Sequence, residues 1–188
     1  MSHLLPLLVA VPVLGATVPF VFGRRFPTSS RRATALVLFG QVGLAIAVIA
    51  GVATTGAQTY VVGGLPAAVG IGLLADEVSS LFVLFIAVAA ATLYVTVRTD
   101  ASGPTDALWL LFVAGVTGIA VTADVFNLYV FLEIAGLAAY TLVATRSGPT
   151  AALAALHYLL VGTVGATFYL LGVGYLYVAT GTLAMADL

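Results

Sequence analysis

Long apolar runs separated by short polar gaps dominate this 188-residue chain. A helix crossing a hydrocarbon core of about 30 Å needs roughly 20 apolar residues. Six runs are candidates: residues 4–22, 33–53, 76–97, 106–122, 125–145 and 151–180. The pattern predicts an all-α, polytopic membrane protein of about six transmembrane helices, with residues 1–188 forming a single transmembrane domain. Pro6, Pro12 and Pro19 do not disqualify the first run, because a membrane helix can re-satisfy the freed backbone groups locally. Between the second and third runs the pattern breaks. Gly56, Gly63, Gly64, Pro66, Gly70 and Gly72 interrupt residues 54–75, and Gly63-Gly64 between Thr59–Val62 and Leu65–Val69 predicts a short hairpin. Unpaired strand edges cannot face lipid, so the hairpin is expected on the extracytoplasmic surface. The fourth and fifth runs are so close in sequence that their helices must be adjacent and antiparallel. Small residues at four-residue spacing (Ala114, Gly118 and Thr122, or Gly162 and Ala166) would let helix backbones approach closely.

Charge gives the orientation. Arg24, Arg25, Arg31 and Arg32 follow the first run, Arg98 follows the third and Arg146 the fifth, so all six basic residues fall in alternate gaps. Cytoplasmic loops collect such charges. Residues 24–32, 98–106 and 146–150 are therefore expected in the cytoplasm, with residues 54–75 and both termini outside a cell membrane. The first run lacks a positive leading segment and its arginines come after it, which reads as a retained span rather than a cleaved leader.

Composition supports the membrane assignment and removes most other chemistry. Hydrophobic residues make up 62% of the chain and charged residues 7%, with a mean hydropathy of +1.21; a soluble domain has about 25% charged residues. The net charge of −1 gives no sign of a nucleic-acid partner. The absence of cysteine excludes structural disulfides, thiolate metal sites and iron–sulfur ligation. His3 and His157 are expected near opposite faces, about 30 Å apart, too far to share one haem. No cofactor and no metal is expected. No Walker loop, dinucleotide fingerprint, serine triad or zinc spacing is present. Proton or ion handling remains.

Glu133 is the sharpest candidate for that chemistry. It follows Val125 by eight residues, about 12 Å along a helix and hence near the bilayer centre. A carboxylate there costs several kcal/mol and normally faces a bundle interior, water or a charged partner. Phe126, Tyr129, Gly136, Leu137 and Tyr140 share its face at helical spacing. His157 lies near the inner end of the sixth helix, and histidine could relay protons; an interfacial histidine with a wet tip is equally ordinary. Asp76 and Asp124 precede the third and fifth helices and read as caps on their amides. Glu77, Asp100 and Asp106 read as solvated.

Residues 122–140, Thr-Ala-Asp-Val-Phe-Asn-Leu-Tyr-Val-Phe-Leu-Glu-Ile-Ala-Gly-Leu-Ala-Ala-Tyr, resemble helix 5 of the antiporter-like proteins. These are the Mrp-type multisubunit cation/proton antiporter subunits and the homologous membrane-arm subunits of complex I. The Phe-Asn-Leu-Tyr-Val-Phe-x-Glu core is most similar to the D-type subunit of the Mrp antiporters. So is the ending Ala179-Thr-Gly-Thr-Leu-Ala-Met-Ala-Asp-Leu188, with Ala184 where that family usually has asparagine, and Ala75–Phe82 resembles the family's start of helix 3. The resemblance implies that Glu133 matches an essential glutamate which pairs with a lysine on helix 7, and that His157 stands where lysine or histidine often serves the proton path. It also implies a fold of roughly fourteen helices, of which this chain would be the N-terminal portion: a fragment, a truncated product or half of a split subunit. The expected function is proton translocation within a multisubunit monovalent cation/proton antiporter. Its partners would be other membrane subunits, protons and a monovalent cation (sodium by that resemblance), in a lipid bilayer. Two alternatives stay open: a membrane-arm subunit of a complex I-like oxidoreductase or hydrogenase, and a non-transporting scaffold remnant.

Overall fold

The computed structural model describes residues 2–62, 72–97, 103–146 and 148–188. Six helices form: α1 (Leu5–Phe22), α2 (Pro27–Thr55), α3 (Glu77–Thr96), α4 (Gly103–Val121), α5 (Val125–Ala144) and α6 (Pro149–Thr180). All six are long and apolar enough to cross a membrane. Two short strands, β1 (Gln58–Val61) and β2 (Gly72–Ala75), lie between α2 and α3.

Helix 4 is the hub, packing on α1, α3 and α5 and touching α2, whereas α6 packs chiefly along α5. Half of α4's most apolar stretch is buried, against 6% of α6's. Small residues set the close approaches. A Cβ on Gly115 would come within 2.6 Å of the Ala135 backbone nitrogen, and one on Gly118 would strike the Phe131 ring. The short Thr122–Asp124 connection thus does join two adjacent, tightly packed antiparallel helices. Leu5, Leu8, Val48, Val83 and Val121 fill one end of the core, while Leu38, Ala90, Leu110 and Val113 fill the other.

The sheet caps the first of these ends. β1 and β2 pair antiparallel, with Gln58 opposite Ala75 and Val61 opposite Gly72. The second strand is therefore Gly72–Ala75; the expected partner Leu65–Val69 and the Gly63-Gly64 turn lie outside the described residues. Residues 122–125 are hydrogen-bonded on both sides. Ala123 N–H donates to the Gly72 carbonyl, Val125 N–H to Leu183 and Met185 N–H to Ala123. The segment after α6 therefore returns to clamp the start of α5.

At the opposite, arginine-bearing end, α2 begins six residues earlier than the apolar run implied. Pro27 opens it, its fixed φ and missing N–H being tolerated in a first turn, so Arg31 and Arg32 belong to a helix rather than a loop. Helix 4 likewise starts at Gly103, which meets Gly23 backbone to backbone; a Cβ on either would clash. That start corrects the expectation for Asp106. The residue is 3% exposed rather than solvated, and its carboxylate accepts a hydrogen bond from the Tyr94 hydroxyl at 3.0 Å. Asp100 and Arg98 lie outside the described residues, and Glu77 is exposed as expected.

Proline in α1 has an identifiable repair. Pro12 has no N–H to give the Leu8 carbonyl, so the helix leaves that acceptor open. The side-chain amide of Gln41, fully buried on α2, donates to it. An orphaned buried acceptor costs about 1–3 kcal/mol; Gln41→Leu creates one at Leu8 but removes another, the unpartnered Gln41 Oε1, so it is expected to destabilise the chain by about 1 kcal/mol, read as a lower thermal midpoint in detergent. In a Pro12→Ala background residue 12 regains its N–H and most of the cost should vanish. An undiminished cost there would assign Gln41 to packing instead.

Candidate functional site

Helix 5 is positioned at its N-terminus by a dense polar lock. The Asp124 carboxylate accepts the Asn127 N–H at 2.6 Å, and the buried Asn127 amide donates to Thr122 Oγ1 at 3.2 Å. The Tyr169 hydroxyl, from α6, donates to the Val125 carbonyl at 3.0 Å. Asp124 is thus a cap, as the sequence implies. Asp76 is one too. Its carboxylate accepts the Ser79 N–H at 2.7 Å while Ser79 Oγ accepts the Asp76 N–H at 2.8 Å, a reciprocal capping box. The donation from Ser79 N–H holds the Asp76 carboxyl below its ordinary value.

Below the lock, the α5 stripe Tyr129, Glu133, Gly136 and Tyr140 faces α6. Tyr129 stacks on Tyr169, with ring centres 6.4 Å apart, and Tyr140 meets Tyr158 edge-on at 4.5 Å. Gly162 makes room for the Tyr140 hydroxyl, because a Cβ there would collide with it. On α6 the less exposed residues Ala155, Leu159, Gly162, Ala166, Tyr169 and Val173 repeat at alternating three- and four-residue steps, the spacing of an antiparallel helix seam. The two tyrosine pairs fix the register, which sets Glu133 opposite Gly165 and Ala166. A Cβ on Gly165 would meet nothing within 4 Å, and the residue is exposed, so this edge of the seam lies at the surface of α6. The other flank of the predicted stripe, Phe126 and Leu137, is exposed.

Glu133 itself is half-buried and, among the described residues, makes no hydrogen bond or ion pair. Arg146 is thirteen residues further along the chain, about 20 Å by helical rise. The carboxyl thus lies in a mainly apolar seam, on the α5 stripe that also carries Tyr129 and Tyr140, with no partner among the described residues.

His157 is not brought to this carboxyl. It is exposed, lies two positions from both Ala155 and Leu159, and so occupies the side of α6 turned away from α5. By the seam register it is also about 12 Å nearer the arginine end than Glu133. Helix 6 begins at Pro149, which places His157 more than two turns inside it. His3 sits at the sheet end, its ring edge-on to Tyr60 at 5.8 Å. Among the described residues no cluster of three His, Cys, Asp or Glu exists that could hold a metal.

The family described as NADH:quinone oxidoreductase/Mrp antiporter, TM, matches residues 122–188, the segment that runs from the polar lock through Glu133 and His157 to the returning tail. The N-type subunit of the NADH-quinone oxidoreductase of Desulforudis audaxviator is 42% identical across the whole chain. The D-type subunit of a probable K(+)/H(+) antiporter of Rhizobium meliloti is 34% identical across the whole chain. The chain is homologous to the antiporter-like membrane subunits. In three dimensions a component of the Mrp complex from Dietzia sp. DQ12-45-1b superposes with a TM-score of 0.86 and 28% identity over 97% of the chain. The chain spans 39%, 36% and 35% of the lengths of these three proteins.

Proposed function

We propose that this chain is the N-terminal, proton-handling portion of an antiporter-like subunit, working within a multisubunit monovalent cation/proton antiporter. The observation that carries the reading is Glu133. Among the described residues it is the one carboxyl deep in a spanning helix, in the α5–α6 seam, within the segment that matches the oxidoreductase/antiporter family. Glu133 would take up a proton when its partner cation withdraws and release it when that cation returns. Tyr129 and Tyr140 flank this carboxyl with hydroxyls able to order water. His157, on the open side of α6, would pass protons only to groups supplied by another helix. Sodium is the proposed exchanged ion.

One observation favours a second reading. The 42% identity to a quinone oxidoreductase subunit exceeds the 34% to an antiporter subunit, which fits a place in a respiratory membrane arm with the same proton chemistry. Purification of the native complex separates the two. Antiporter membership predicts that the chain co-purifies with membrane subunits alone and that vesicles carrying the complex exchange protons for sodium. Co-purification of flavin or iron–sulfur subunits would assign the respiratory reading, and vesicles inert under both gradients and electron donors would leave only a scaffold.

The proposed orientation puts the arginine end in the cytoplasm and the sheet end with both termini outside. Ser29 and Thr59 are exposed at opposite ends. Single cysteines there should react with an impermeant reagent from opposite sides of the membrane; reaction from one side would refute the six-span arrangement.

A further inference from the structure

Helix 2 is about 44 Å long by its 29 residues, well beyond a hydrocarbon core of about 30 Å. Its first turns therefore stand at the level of the lipid headgroups. There, between the start of α2 and the last turn of α3, lies a groove of about 300 Å³ lined by Thr28, Arg31, Arg32, Ala35, Tyr94 and Val95. Both arginines are exposed, and among the described residues neither makes an ion pair. The first turn of α2 has no side-chain cap and no acidic residue, so its amides add to the positive potential. Among the described residues Asp106 is the acid whose charge reaches Arg31; it is buried, accepts the Tyr94 hydroxyl, and offsets only one of the two guanidiniums. The groove is thus cationic at its mouth and apolar at its floor. From Ala35 and Val95 it runs out onto the exposed apolar surface of Leu36 and Phe39.

We propose that this groove binds an anionic phospholipid, with the phosphate held by Arg31, Arg32 and the Thr28 hydroxyl and an acyl chain lying along Leu36 and Phe39. Two guanidiniums and a hydroxyl match phosphate oxygens, and guanidinium geometry permits paired hydrogen bonds. The adjoining apolar surface selects a lipid over a free anion, because a free phosphate gains nothing from it. Basic pockets between helices at the inner face recognise anionic headgroups on this principle.

The test uses the purified 188-residue chain in phosphatidylcholine nanodiscs, titrated with phosphatidylglycerol, with lipid retention read by native mass spectrometry and stability by thermal midpoint. Phosphatidylglycerol should be retained and should raise the midpoint. R31Q/R32Q should weaken its retention about thirtyfold, the consequence of losing two surface cations. R31K/R32K, which keeps the charges and loses the paired hydrogen bonds, should fall between that variant and the unsubstituted chain, and R24Q/R25Q should leave it unchanged. Equal retention of phosphatidylcholine, an equal midpoint rise with inorganic phosphate, or equal loss in R24Q/R25Q would overturn the proposal.

Discussion

Glu133→Ala is expected to lower proton-coupled transport by the native complex at least about tenfold, which corresponds to about 1.4 kcal/mol on the limiting barrier. Assembly should survive. The carboxyl makes no hydrogen bond or ion pair among the described residues, so its removal leaves the Tyr129–Tyr169 stack, the Tyr140–Tyr158 contact and the Asp124 lock intact. Removing an acid from a spanning helix also relieves an insertion cost. Asp124→Asn should act far more weakly, because asparagine still caps α5. Transport assays on vesicles with subunit composition checked by gel distinguish the two. A Glu133→Ala complex that transports normally would make this acid structural. One that fails to assemble would place its role in packing.

The second large effect concerns the chain reconstituted without partners, which is expected to show no proton conduction and no cation exchange above the rate of protein-free vesicles. A proton crossing about 30 Å of hydrocarbon needs a relay of titratable groups and water. Among the described residues the deep titratable acid is Glu133, and His157 points away from it. The chain alone also brings no basic group to the carboxyl among the described residues. Activity should appear when a partner contributes helices against the open face of α6 and a basic group near Glu133. Robust pH-dependent flux through the lone chain would show instead that copies of it build a pathway between themselves.

The helices were legible because their signal is redundant. Each run is long, apolar and bounded by arginine, aspartate or glycine, and a membrane leaves the backbone no alternative to internal hydrogen bonding. Asp76 and Asp124 were legible as caps for a similar reason, since a cap is local. Misreadings occur where a residue's fate is decided by a distant neighbour. Asp106 reads as a solvated loop acid until the early start of α4 carries it under Tyr94 of α3. Gln41 looks like an unremarked polar residue in an apolar run; only its distance from Pro12 in space, not sequence, gives it a partner. The pairing of β1 with Gly72–Ala75 was hidden by a glycine pair that resembles a tight turn.

The candidate site was partly legible. Glu133 stood out by depth and by the Phe-Asn-Leu-Tyr-Val-Phe-x-Glu run, and Gly118 and Gly162 stood out as small residues at contact spacing. Gly115 against Ala135 required the register of packed helices. His157 shows the converse. Its position in the run gives a depth, but the face it occupies follows from which residues of α6 meet α5.

The role proposed for Glu133 is that it gains and loses a proton during turnover. Infrared difference spectroscopy of the membrane-embedded native complex, stepped between high and low pH in the presence of the exchanged cation, reads that event directly. A protonated-carboxyl stretch should appear and disappear with the cycle and be absent in Glu133→Gln. An unchanged difference spectrum in Glu133→Gln would contradict it.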